Sequence, residues 1–433
     1  MDSSARWRQE LEHPGEGFFA AFAARLHEPE GLGDAVVEAV HHLTPRVDWE
    51  GHLPQMPHGL LGLRAVFRLR AFLSEPSFRR LMAIQLHAFA QEPRSPASRG
   101  FQAIGQGSGH WPNLEMAIRD HRPAIAWGEG LGVEAPRAED FARLLPFILG
   151  DMANVGHKAV AVHHLGELFE VLGRPQAAGR SLLGLAAWIA ASEPSDRFWN
   201  ARVRKRLESA SASVPAGGPR LDGEQHLQGA REICDLGLVG LLDVFTARMK
   251  AGVAEGDLLA ILTLAAAEKQ LDARRDLEGK TSWNFVYLAT LPAMQGPEPW
   301  GQAAALVNFF PTDEEEGRIK AELPTPGAED LAAALLEAIL DSEPARAMGL
   351  VSHLRGKNGD EGVLRVLAEA TSRNDPAFNH SHQLLALAAV AELLPLITEP
   401  AREAALQALA KSLANNQGSG DLGRLADKAM KGE

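Results

Sequence analysis

Cysteine occurs once in the 433-residue chain, at Cys234. That excludes an intramolecular disulfide, a cysteine-based zinc finger and an iron–sulfur cluster held within one chain. Tyrosine also occurs once, at Tyr287, and alternating runs of Val, Ile and Thr are scarce. The pattern of half-buried strands is therefore missing. No apolar run is long enough to span a membrane; the stretch 384–397 is interrupted by Glu392. The first residues, MDSSARWRQELEHPGEG, lack the charged-then-apolar order of a secretion signal, so the expected location is cytoplasmic. The phosphate loop GxxxxGK[ST], the zinc signature HExxH and the nucleophile elbow GxSxG are absent. GQGSGH at 105–110 is Gly-rich, but no strand–helix context makes it a phosphate cradle. Excess positive charge is lacking too: the net charge is −13. An acidic surface repels phosphate backbones, so neither nucleic acid nor membrane is an expected partner. The basic stretch 197–206 reads as the cationic end of a helix.

What is present is helical. Ala, Leu, Glu and Arg dominate, and a 45% hydrophobic, 23% charged composition supports a packed core. The expected fold class is all-α, built from two tandem pseudo-symmetric modules of two helix-loop-helix repeats each. GEGFFAAFAARLHEPEGLGDAVVEAV (15–40) aligns with GLVGLLDVFTARMKAGVAEGDLLAIL (238–263). One constant offset then relates His58 to Trp283, His157 to His382 and Pro175 to Pro400. The modules are expected at 1–208 and 225–415, joined by a Ser/Gly/Pro-rich linker at 209–224 and followed by a weakly helical tail at 416–433. Apolar marker helices are expected at 57–73, 156–173, 282–294 and 381–397. Each precedes a helix with Pro76, Pro175, Pro299 or Pro400 in its first turn, where a missing N–H costs nothing. The 156–173 helix is apolar almost all round and should be central. A shared core and a linear solenoid both suit this pattern.

Histidine is the informative residue type. His58, His157 and His382 open three marker helices, at equivalent repeat positions, and are expected to converge. His164 lies on the face of His157, almost two turns on, and His380 precedes His382; either could complete a ligand set. His41, His42, His52 and His87 are further histidines near this region. Imidazole from several helices suits Fe(II) or Zn(II), with a position left open, and such binding weakens below about pH 6 as the ring protonates. Carboxylates are expected to contribute little. Core histidines bonded to carbonyl groups are the other reading of the same residues. Trp283 replaces the fourth marker histidine, and Tyr287 follows one turn later. Its hydroxyl either bonds locally or serves as a catalytic group facing substrate or bound oxygen.

HLPQMPHGLLGLRAV (52–66) and LGDMANVGHKAVAVHHLGELFEV (149–171) resemble two motifs of questin oxidase-like proteins. TSWNFVYLAT (281–290) corresponds faintly to a later motif and carries no histidine. The resemblance implies a helical oxygenase of polyketide rings. Some members hold non-haem iron with several histidines and a modified lysine; no lysine motif here matches well enough to assign that residue, and Lys158 and Lys280 are merely nearby. His58 and His157 are the positions that carry over as ligands. The expected function is a metal-dependent, non-haem iron oxygenase of an apolar aromatic or polyketide-like small molecule, with dioxygen as co-substrate. A non-catalytic helical-repeat scaffold or a degenerate enzyme homologue are the alternatives.

Overall fold

The structure, a computed structural model, describes residues 3–28, 31–49, 57–95, 101, 104–149, 151, 153–193, 205–206, 220–272, 282–309, 319–322, 330–374 and 382–432. Among them there is no β-strand, only an isolated bridge between Val47 and Arg94. The protein is all-α. Contacts divide it into two compact units: Met1–Phe67, Arg79–Ser195 and Asp421–Glu433 form one, Arg68–Phe78 and Asp196–Gly420 the other.

The first stretch of chain supplies α1 (Ser3–Glu12), α2 (Phe18–Leu26), α3 (Gly31–Leu43), α4 (His58–Leu69) and α5 (Glu75–Ala90). It continues with α6 (Trp111–Arg119), α7 (Pro123–Gly132), α8 (Ala138–Ala142), α9 (His157–Val171) and α10 (Gln176–Ala191). Beyond come α11 (Gly223–Asp235), α12 (Leu238–Lys250), α13 (Glu255–Asp272), α14 (Trp283–Thr290), α15 (Glu298–Phe309) and α16 (Leu331–Leu340). The last helices are α17 (Pro344–Arg373), α18 (His382–Leu393), α19 (Ala401–Asn415) and α20 (Asp421–Lys431).

Proline sets the helix starts as its chemistry requires. Pro76 and Pro299 lie in the first turns of α5 and α15, and Pro175 and Pro400 are the N-caps of α10 and α19. Two further corners share one geometry. After α6, His121 takes a left-handed φ of 51° and Arg122 N–H donates to Ala117 O at 2.8 Å before Pro123 starts α7. After α16, Ser342 takes φ 59° and Glu343 N–H donates to Ala338 O at 2.8 Å before Pro344 starts α17. In both, the reversal satisfies a carbonyl that the ending helix leaves open.

In the first unit α10 packs on α3, α7 and α9, and α8 covers α9. The Gly-rich stretch 105–110 belongs to this packing. Gly107 N–H donates to Gly128 O of α7 at 2.7 Å, and a side chain on Gly132 would strike the backbone of Gly107 and Gly109. Close backbone approach accounts for these glycines without a phosphate. In the second unit α19 packs on α13 and α17, and α14 on α18. No helix among the described residues is long and apolar enough to cross a membrane.

Two segments differ in detail from the expected division. The tail is helical and also packed: α20 lies against α2, with Gly423 and Ala426 buried, and Arg80 pairs with Asp427 at 3.0 Å. The end of the expected linker is already helical, since Asp222 and Gln225 form a capping box at the start of α11. Positions 209–219 lie outside the described residues, as do 197–204 of the basic stretch.

Candidate metal centre

His58 is the first residue of α4, after Pro57. The next residue, Gly59, is held from both sides: its N–H donates to Glu92 Oε1 at 3.0 Å, and its carbonyl accepts from Gln85 Nε2 at 3.1 Å. A Cβ on Gly59 would stand 2.7 Å from Phe89 and from Glu92, so only glycine lets α4 lie this close to α5. His157 is the first residue of α9. The two residues before it, Val155 and Gly156, both take left-handed φ values, 54° and 81°. For a β-branched residue this conformation costs roughly 1–3 kcal/mol and is retained where the surroundings fix it.

These two helix starts meet. The imidazoles of His58 and His157 lie edge to face, ring centroids 5.6 Å apart at 81°. Each offers a ring nitrogen within 4.8 Å of the other's, and the residues are 3% and 2% exposed. Two nitrogens bound to one ion at about 2.1 Å stand roughly 3.4 Å apart in a tetrahedral site, the spacing to which this pair would have to close to share an ion. Buried neutral imidazoles are suitable donors for such an ion. The helix starts are buried, rather than placed at an open mouth.

The residue after His157 faces other partners. Lys158 Nζ donates to Ser192 O at 2.7 Å and Glu193 O at 3.1 Å, and pairs with Asp151 at 2.6 Å. Burial lowers the pKa of Lys158, opposed by its hydrogen bond and ion pair to Asp151. This anchor ties the start of α9 to the end of α10 and so helps fix His157.

In the second unit, His382 opens α18 and is 7% exposed. Its ring stands 5.6 Å from Trp283, inclined at 51°. The indole N–H is a donor only, so Trp283 offers no ligand atom. Tyr287 is buried on the same helix as Trp283 and donates its hydroxyl to Gln302 Oε1 at 3.3 Å. Burial raises its pKa, reinforced by the charge of Glu298. His380, His52 and Lys280 lie outside the described residues.

His164 does not join His157. The spacing that puts both on one face also separates them by about 10.5 Å along the axis, too far for one ion. His164 instead lies with His163 and Glu167. His87 stacks on Phe19 with centroids 5.1 Å apart, and burial lowers its pKa. His42 pairs with Glu12 at 3.1 Å; burial is the main reason its pKa is lowered. His41 Nδ1 lies 3.4 Å from Ser181 Oγ.

Two carboxylates lie close to these residues. Glu167 accompanies two histidines, and the carboxyl of Glu92 stands beside the start of α4. Glu92 Oε2 is buried without a hydrogen-bond partner. Burial pushes the Glu92 pKa up to about 8, against the pull of the Gly59 N–H and the Arg94 charge. One sequence signal was available: an acid just past the C-terminal end of α5 opposes the helix dipole and is out of place there. No family model, curated protein or solved structure matches the chain.

Proposed function

We propose that this protein is a metal-dependent oxygenase that acts on an apolar aromatic or polyketide-like small molecule with dioxygen. The observation that carries the reading is the buried meeting of His58 and His157 at two helix starts. Fe(II) is the preferred ion and Zn(II) the second choice, since imidazole suits both. When bound, iron supplies dioxygen activation, chemistry that side chains alone cannot provide. His58 and His157 would hold the ion. The left-handed turn at Val155–Gly156 and the Lys158 anchor would keep His157 in place. Near neutral pH the Glu92 carboxyl would retain a proton beside the α4 turn.

A cytoplasmic location and the lack of a nucleic-acid partner belong to the same proposal. The degenerate-homologue reading draws on Trp283, which stands where a fourth imidazole would be. Tyr287 favours a local structural role through its bond to Gln302.

Elemental analysis of the purified full chain, before and after anaerobic reconstitution with Fe(II), tests the proposal. The wild type should retain iron through desalting. His157→Ala should lose it while keeping its helical circular dichroism. A wild type that retains no metal after reconstitution would sink the oxygenase reading and leave the scaffold.

A further inference from the structure

We propose a second metal site, separate from His58 and His157, in which His163, His164 and Glu167 of α9 hold a borderline divalent ion such as Zn2+. The argument begins with spacing. His163 and Glu167 are four residues apart on the helix and His164 and Glu167 three, so all three side chains can turn toward one patch. His163 Nε2 lies 3.5 Å from Glu167 Oε2, and His164 Nε2 lies 3.9 Å from the same oxygen. The two imidazole centroids are 5.5 Å apart, and one donor atom from each of the three residues lies within 4.8 Å of the others.

Those separations are longer than the usual 2.7–3.2 Å of an N–H···O hydrogen bond and are those of loose ion pairs. They also resemble the edges of a ligand polyhedron. With metal–ligand bonds of about 2.1 Å, neighbouring donors stand roughly 3.0–3.4 Å apart and opposite donors about 4.2 Å. Small rotations of the two rings close the difference.

Arg64 of α4 supports the carboxylate. Its Nε and Nη2 lie 2.9 and 2.5 Å from Glu167 Oε2. This pair fixes the carboxylate's orientation, the task that outer hydrogen-bond partners perform around metal ligands. The guanidinium also offsets the carboxylate's charge, so an ion here depends mainly on the two imidazoles. Two nitrogens and one oxygen favour Zn2+, Co2+ or Ni2+ over the hard ions Mg2+ and Ca2+.

Access divides the cluster. The side chains of Arg64 and His164 are each 2% exposed, whereas those of His163 and Glu167 are each 20% exposed. An ion can therefore enter from the His163 side, and a fourth position is left for water. This distinguishes the cluster from the deeply buried His58–His157 pair.

The test uses the full chain, stripped of metal by chelation and titrated with Zn2+ by calorimetry. In a His157→Ala background, which removes the first site, the chain should still bind one equivalent of Zn2+, and adding His163→Ala should abolish it. Glu167→Gln preserves an acceptor for Arg64 but removes the charged ligand, and should weaken binding at least about tenfold. In the same background, Co2+ in place of Zn2+ should give visible d–d absorption that is lost when His163→Ala is added. If the double variant binds Zn2+ with the stoichiometry and affinity of His157→Ala, the proposal fails and the cluster is ion-pair packing around Arg64. Should Glu167→Gln fail to fold, the partly exposed His163 still decides the question. Loss of iron in His157→Ala bears on the proposed oxygenase centre alone, so the two ideas fail separately.

Discussion

Replacing Glu92 with glutamine tests whether a buried neutral carboxylic acid supports the start of α4. The wild-type carboxyl accepts the Gly59 N–H through Oε1, while Oε2 is buried without a hydrogen-bond partner. Its pKa rises from the ordinary 4.5 to about 8, chiefly through burial. The folded protein therefore holds a proton that the unfolded chain releases between these values. The resulting stability is fully present below pH 4.5 and is lost as pH rises through about 8. At about 1.4 kcal/mol per tenfold change in proton affinity, the ceiling on the loss is about 5 kcal/mol. Oε2 is buried but the residue as a whole is only half-buried, so once ionised the side chain can shift toward water, and the realised loss should be about 2–3 kcal/mol. The substituted amide would keep the acceptor for Gly59 and carry no titrating proton. Urea unfolding of both proteins, from about pH 5 to about pH 9, gives the comparison at constant m-value. Glu92→Gln should gain on the wild type as pH rises. A difference that stays flat across this range refutes the argument that the acid is held neutral by burial.

Three further outcomes follow from other buried groups. In the second unit, His226 Nε2 lies 2.9 Å from Asp257 Oδ1, and Leu221 N–H donates to Asp257 Oδ2 at 3.3 Å. Asp257→Ala strands both groups and should cost about 3–5 kcal/mol in denaturant unfolding; a loss below about 1 kcal/mol would show that the pair is dispensable. Lys158→Met leaves Asp151 and two carbonyls at the end of α10 without their cation, and should destabilise by a similar ~3–5 kcal/mol. Unchanged thermal unfolding of that variant would remove Lys158 as the anchor of α9. Cys234 has its pKa pushed up to about 11, mainly by burial, so the thiol should alkylate far more slowly than a free thiol at neutral pH. Rapid labelling of the folded protein by iodoacetamide would contradict that assignment.

How much of this was legible in the sequence depends on whether a feature is local. Helix starts are local: proline marked four of them, two in the first turn and two at the N-cap, and the apolar circumference of α9 announced its burial. His58 and His157 could be singled out because each opens an apolar helix, although nothing in the sequence measures the distance between two helix starts. His164 shows the limit of face-based reasoning. Angular position about a helix axis was read from the spacing, while the rise along that axis separates His164 from His157 and groups it with Glu167. Glu167 itself resembled any acid on a polar helix face; its three- and four-residue spacing from the histidines was local, but its pairing with Arg64, more than a hundred residues earlier, was not. Glu92 was least legible. Its environment comes from α5 crossing α4 at Gly59, where a missing side chain lets a carboxyl reach a backbone N–H. An acid becomes unusual through what covers it, and that cover is tertiary. A search for chemistry in such a chain should therefore weigh glycines that open buried helices as closely as histidines. The glycine marks where the side chains of a neighbouring segment close on a helix backbone and bury a titratable group.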